Sequence, residues 1–318
     1  MTRAGESGRV VELSGPWTHR YVAANGARFH VVEGLRPQGD KPEGEPPADQ
    51  PLVVLLHGFP EFWWSWRAQL PALAAAGYRA VAMDLRGYGG SDKTPRGYDP
   101  VTLAQDVSGV VKALGERSAV LVGQGWGGYV AWATATLHQR EVTALGVVAA
   151  PHPTATMRAL RRHPGAGALR HVLAMQVPLA PERRLADPGS GYLRNHLSAW
   201  SSPASSFPDE EAAATYQSAM SLWPSPHCAL EFHRWLVRSR VRSDGREFDR
   251  FMRTPVGQPV LSVWGADDPA LPHGAFADTR RHVLGPLTEH AMPGVGHFPP
   301  EEAPDAFTRL LLAWLAGL

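Results

Sequence analysis

Three short segments carry residue types that could act together on a small molecule. In Leu121-Val122-Gly123-Gln124-Gly125-Trp126-Gly127-Gly128 an apolar strand runs through a sharp glycine turn into a helix. Such a turn, small-x-nucleophile-x-small, presents a central Ser, Cys or Asp to the substrate. Here the central residue is Gly125, which has no side chain. Further on, Val263-Trp264-Gly265-Ala266-Asp267-Asp268-Pro269 ends a strand with an acid in a turn, and Pro293-Gly294-Val295-Gly296-His297-Phe298-Pro299 sets a histidine just past the last strand. An acid in a turn is routine, and a lone histidine is usually not catalytic. Their order is more telling: nucleophile position, then acid, then histidine, each on a loop after a strand, is the part list for covalent hydrolysis. Asp268 orienting His297 would also suit a general base acting on water or on an acidic substrate proton.

These loops need a sheet to hold them. Two β-type stretches at His19–Ala24 and Ala27–Glu33 flank an Asn25-Gly26 turn, and Leu35–Gln50, rich in Pro, Gly and acids, reads as a solvated loop. Four continuous apolar runs follow: Pro51–Leu56, Arg79–Met83, Ala119–Val122 and Ala144–Ala150. Continuous rather than alternating runs suit parallel strands buried on both faces. Helical patterns at Phe62–Ala75, Val101–Leu114 and Trp126–Leu137 separate them, so a doubly wound α/β sheet is expected. From Pro151 to Arg253 the alternation stops and the pattern is helical. It resumes with Pro259–Trp264, a helix near Ala275–His282, a strand near Glu289–Met292 and a closing helix at Pro304–Leu315. The expected organisation is a core of residues 1–150 and 254–318 with a helical lobe of residues 151–253 inserted, and ligands favour the crevice between two such lobes.

Two further motifs flank the site. Leu55-Leu56-His57-Gly58-Phe59-Pro60-Glu61 closes the first buried strand with a Gly and Pro turn that leaves backbone N–H groups free. Asp84-Leu85-Arg86-Gly87-Tyr88-Gly89-Gly90-Ser91-Asp92 is a glycine-rich loop whose acids suit turns and ion pairs. Gly123-x-Gly125-x-x-Gly128 also matches a dinucleotide fingerprint, which would make the chain an NAD(P)-binding oxidoreductase. That reading wants an acid at the end of the next strand, where Ala149-Ala150-Pro151-His152 stands instead, and Trp126 would crowd a pyrophosphate.

At 318 residues and 44% hydrophobic content the chain can bury a sizeable core. A net charge of +1 argues against a nucleic-acid or anionic-membrane binder. Lysine occurs only at Lys41, Lys93 and Lys112, so the arginine richness reads as coding bias. The lone Cys228 can form no internal disulfide or Cys-based metal site and reads as packing. Met1–Val10 lacks an apolar signal core, and no apolar run reaches the about 18 residues of a membrane span. The expected setting is cytoplasmic. The expected partners are a small apolar molecule and at most a second copy in a homodimer, with no nucleic acid, cofactor or metal.

From about Tyr21 to the C-terminus the chain resembles α/β-hydrolases of the epoxide hydrolase branch, in His57-Gly58-Phe59-Pro60-Glu61 with Trp66-Arg67, Asp84–Asp92, Gly123–Gly128, Pro151-His152-Pro153 and the Asp268 and His297 turns. The resemblance implies an α/β-hydrolase fold with an inserted helical cap, and an oxyanion-side pair of backbone N–H groups from Phe59 and Trp126. It also implies Asp268 orienting His297 and an attacking aspartate at position 125, which would form an ester that activated water cleaves. Two cap tyrosines would donate to the epoxide oxygen. This chain departs at each of those steps: position 125 is Gly, and His171 and His233 stand where the resemblance places the tyrosines.

A nucleophile turn holds its central residue at φ > 0, which costs about 1–3 kcal/mol for a residue with a Cβ and almost nothing for glycine. Glycine is therefore what the turn favours once no side chain is required there. The expected protein is an epoxide hydrolase-like fold without the covalent nucleophile, binding a small apolar ligand between core and cap with His171, His233 and Trp63 lining the site. The alternative is an enzyme using His297, Asp268 and a water. Trp64, Trp66, Trp126, Trp200, Trp223 and Trp235 suggest further aromatic walls, though core packing explains most such residues.

Overall fold

The computed structural model describes residues 10–35 and 51–318. The expected solvated loop and nearly all of the N-terminal stretch therefore lie outside the described residues. Eight strands form one sheet: β1 (Trp17–Ala24), β2 (Ala27–Gly34), β3 (Leu52–Leu56), β4 (Arg79–Met83), β5 (Ala119–Gln124), β6 (Val142–Val148), β7 (Val260–Gly265) and β8 (Leu287–Met292). Their spatial order is β1-β2-β4-β3-β5-β6-β7-β8. β1 and β2 are antiparallel, joined by an Asn25-Gly26 turn with both residues at positive φ, and β3 to β8 run parallel. Every residue of β3 and of β5 is buried, as suits strands covered on both faces.

The chain moves from β3 outward to β4, then returns past β3 to β5 and continues to β6, β7 and β8. Crossovers are right-handed, so this reversal puts the helix after β3 on one face and those after β4 and β5 on the other. The loops leaving β3 and β5 consequently diverge, opening a crevice at the carboxyl ends of the two central strands. Leu56 pairs with Gly123 there, which brings the His57–Glu61 loop beside the Gly125 turn.

The helices fall close to their predicted places: α1 (Gln69–Ala75), α2 (Pro100–Ala113) and α3 (Trp126–Leu137). The helix expected from Phe62 is broken into a 3-10 turn at Trp63–Trp66 followed by α1. Pro71 is the cause: it lacks an N–H and its ring would collide with the Arg67 carbonyl in a continuous helix. Seven α-helices lie between β6 and β7, namely α4 (Pro153–Arg162), α5 (Gly167–Ala174), α6 (Ala180–Ala186), α7 (Tyr192–Trp200), α8 (Glu210–Met220), α9 (Ser225–Arg238) and α10 (Ser243–Phe251). α11 (Gly274–Thr279) precedes β8, and α12 (Pro299–Glu302) and α13 (Pro304–Leu315) close the chain.

Candidate active site

The Gly125 turn is built by close approach. A Cβ at Gly123 would strike the Gly127 carbonyl, one at Gly127 the Leu56 carbonyl, and one at Gly128 the Ala150 side chain. Those glycines let α3 start directly over the strand ends. Gly125 differs. Its backbone has φ 51° and ψ −115°, yet a Cβ there would meet nothing nearer than Nε2 of His297 at 3.6 Å and Cα of Gly58 at 3.8 Å. The side-chain direction at position 125 is thus open and aimed at the histidine.

His297 Nδ1 lies 2.8 Å from Asp268 Oδ2. An ionised carboxylate only accepts, so Nδ1 carries the proton and Nε2 presents its lone pair toward Gly125. Asp268 is buried, and its second oxygen accepts the Ala270 N–H at 2.8 Å. The backbone of His297 is held on both sides: its N–H donates to Trp200 O at 2.8 Å, and its carbonyl accepts from Gln124 Nε2 at 3.0 Å. The Trp200 indole packs edge-on against the imidazole at 4.8 Å.

Phe59 and Trp126 lie in the turns that leave β3 and β5. Among the described residues neither backbone N–H donates to another protein group, so both remain available to an oxygen at the crevice. Together with His297 and Gly125 they line a cavity of about 110 Å³, with mostly apolar walls from Tyr129, Met157, Leu160 and Leu271 among others. That is the scale of a cavity that takes a benzene-sized molecule.

His171 and His233 also line this cavity. The Trp126 indole N–H donates to His233 Nε2 at 3.0 Å, and His233 Nδ1 donates to the Ala229 carbonyl at 3.0 Å. His233 must therefore be neutral, with its single lone pair on Nε2. His171 Nε2 lies 3.1 Å from the same atom and can only donate to it. Two N–H donors thus share one lone pair, which leaves donor capacity for an oxygen in the cavity. Burial pushes the His233 imidazole down to about 4, against a small upward pull from the Ala229 carbonyl. Burial drives His171 far below its ordinary value too, reinforced by His196, His233 and His297.

Trp63 does not reach the site. It is fully buried, its indole N–H donates to Val11 O at 2.7 Å, and its ring packs against Trp17, His19 and Phe62. Its assignment as a ligand-binding residue is corrected: aromatic character alone does not say which way a ring faces, and this one faces the core. Sequence reasoning also missed His196, whose ring lies 4.7 Å from His171 and 4.4 Å from Trp200. Its i, i+4 spacing to Trp200 on one helix was the available signal. Burial, then His297 and His233, push it down to about 3.

Residues 53–310 match the model of the alpha/beta hydrolase family. The chain belongs to that family, on its epoxide hydrolase branch. It is 32% identical over 308 residues to epoxide hydrolase 3 of Xenopus tropicalis, covering 93% of this chain and 77% of that protein. It is 31% identical over 332 residues to epoxide hydrolase A of Mycobacterium tuberculosis, covering 95% and 98%. The crystal structure of epoxide hydrolase A from Mycobacterium thermoresistibile superposes with a TM-score of 0.78 at 26% identity, over 95% of this chain and 99% of that one. The α/β-hydrolase fold expected from the motifs is thereby established. In this α/β-hydrolase the space above the 123–128 turn faces the His297 ring, where a dinucleotide would need its pyrophosphate. No helix among the described residues is long and apolar enough to cross a membrane.

Proposed function

We propose that this α/β-hydrolase binds a small, largely apolar molecule bearing an acceptor oxygen, in the cavity between the sheet and the helical segment of residues 151–253, and that it forms no covalent ester with it. The observation that carries this reading is the geometry at Gly125: a side chain would fit and would face His297 Nε2, but none is present. No ester can form without an atom to attack. The His171 and Trp126 N–H groups, sharing one lone pair of His233, support an oxygen-bearing ligand over a hydrocarbon.

The 2.8 Å pairing of His297 with buried Asp268 supports a second reading. With its Nε2 lone pair facing the open space at Gly125, His297 would activate a water there or take an acidic substrate proton, while the Phe59 and Trp126 N–H groups stabilise an oxyanion. A ligand binder has no use for an oriented base.

Incubation with styrene oxide followed by intact-protein and peptide mass spectrometry tests the first reading. No glycol-ester adduct is expected on the native chain, whereas Gly125→Asp, alone or with His171→Tyr and His233→Tyr, is expected to form one. An adduct on any residue of the native protein overturns it. Turnover in the native chain that disappears in His297→Ala selects the second reading.

A further inference from the structure

We propose that Glu302 is a positioning residue for His297, and that it ties the setting of this base to the helical segment over the site. Glu302 stands at the end of α12 and does not itself line the cavity. Its Oε2 accepts the Gly296 N–H at 2.8 Å and its Oε1 accepts the Phe298 N–H at 2.9 Å. These are the N–H groups of the residues immediately before and after His297. Oε2 also accepts the Ser202 N–H at 2.8 Å, from the segment just past Trp200.

The three backbone N–H groups from Gly296 to Phe298 and the His297 carbonyl are thus each given a partner. Gly296 and Phe298 N–H go to Glu302, His297 N–H goes to Trp200 O, and His297 O accepts from Gln124. One carboxylate takes two of the three N–H groups and joins them to the segment that supplies the partner of the third. The close approach is built in, since a Cβ on Gly296 would strike the backbone of Trp200–Ser202. A tie to the acid's loop completes the junction: Ser202 Oγ donates to Asp267 Oδ2 at 2.8 Å, next to Asp268, and Asp267 N–H donates to Val295 O at 2.9 Å. The loop of the base, the loop of the acid and residues 200–202 therefore share one fixed frame centred on a single side chain. Charge-assisted bonds from three amides to one carboxylate are the strong kind, and only an ionised carboxylate can accept all three. A glutamine has one acceptor oxygen, and its amide nitrogen would meet a donor.

The inference rests on His297 acting as the base, but its test does not depend on turnover. In Glu302→Gln, amide hydrogen exchange at Gly296, Phe298 and Ser202 is expected to accelerate at least about tenfold while β3 to β7 keep their protection. The low-field Nδ1–H signal of His297, held by Asp268, is expected to broaden or shift in the same spectra. A folded variant in which the three amides and that signal match the wild type overturns the proposal. A second measurement on the unmodified protein needs no variant: the three amides are expected to show protection factors within about threefold of one another, since one carboxylate holds them. A Ser202 amide with a protection factor about 100-fold below those of Gly296 and Phe298 overturns the tie to the helical segment. Failure of the base reading looks different: turnover unaffected by His297→Ala with the exchange pattern intact.

Discussion

The indole of Trp126 donates to Nε2 of His233 at 3.0 Å, and this bond requires an unprotonated imidazole. Acid is therefore expected to weaken the fold. His233 is held down to about 4 and His196 to about 3, against an ordinary value of 6.5. Between pH 6.5 and those values the unfolded chain binds more protons, so this contribution is complete above pH 6.5 and is lost as pH falls toward 4 and below. Thermal unfolding followed by circular dichroism should show a Tm that declines through this window. His233→Gln, which keeps an acceptor for Trp126, should make the decline shallower, and an unchanged slope would contradict the assignment.

Gly125→Ala should destabilise the protein by about 1–3 kcal/mol although the space is open, because a Cβ residue is strained at φ 51°. Gly127→Ala should cost more, since its Cβ runs into the Leu56 carbonyl. Urea denaturation of the two variants measures the ranking directly. Equal costs would mean that the turn relaxes as a whole.

Asp268→Asn removes the carboxylate that fixes the proton on Nδ1 of His297. Any turnover that depends on His297 should drop by about 10²–10⁴-fold, with the loss in kcat rather than KM. Steady-state kinetics on whichever substrate the wild type accepts decides this. A loss confined to KM would assign Asp268 to binding.

Because His171 and Trp126 both donate toward one lone pair, ligands should be distinguished by their oxygen. His171→Phe is expected to weaken styrene oxide binding about twofold to tenfold, the worth of one hydrogen bond, and to leave ethylbenzene unchanged. Titration calorimetry with this nearly isosteric pair reads the difference. Parallel losses for both ligands would place His171 in a purely steric role.

Much of the fold was legible because burial on two faces leaves continuous apolar runs, as in Pro51–Leu56 and Ala119–Val122. The Gly125 and Asp268 turns were legible for a related reason: each follows such a run, so its place at one edge of the sheet comes with the strand, whereas His297 follows the mixed, half-exposed Leu287–Met292 and was legible only from its glycine turn. Trp63 failed because its type does not encode a direction. His196 lies in a helical segment without an apolar strand to register it. Glu302 left no trace at all, since its partners are backbone amides, and every residue but proline offers one.

The uneven room around the 123–128 turn bears on the history and the prospects of this chain. Three of its glycines are locked by neighbouring backbone or side chains, so drift there is purged, while position 125 alone can be refilled at the cost of modest strain. Two of the four glycine codons, GGU and GGC, are a single base change from those for aspartate, serine and cysteine. From either of those codons, single mutations sample three different nucleophiles at one point facing a preformed base, and a laboratory selection could start from this chain to ask which chemistry its pocket rewards.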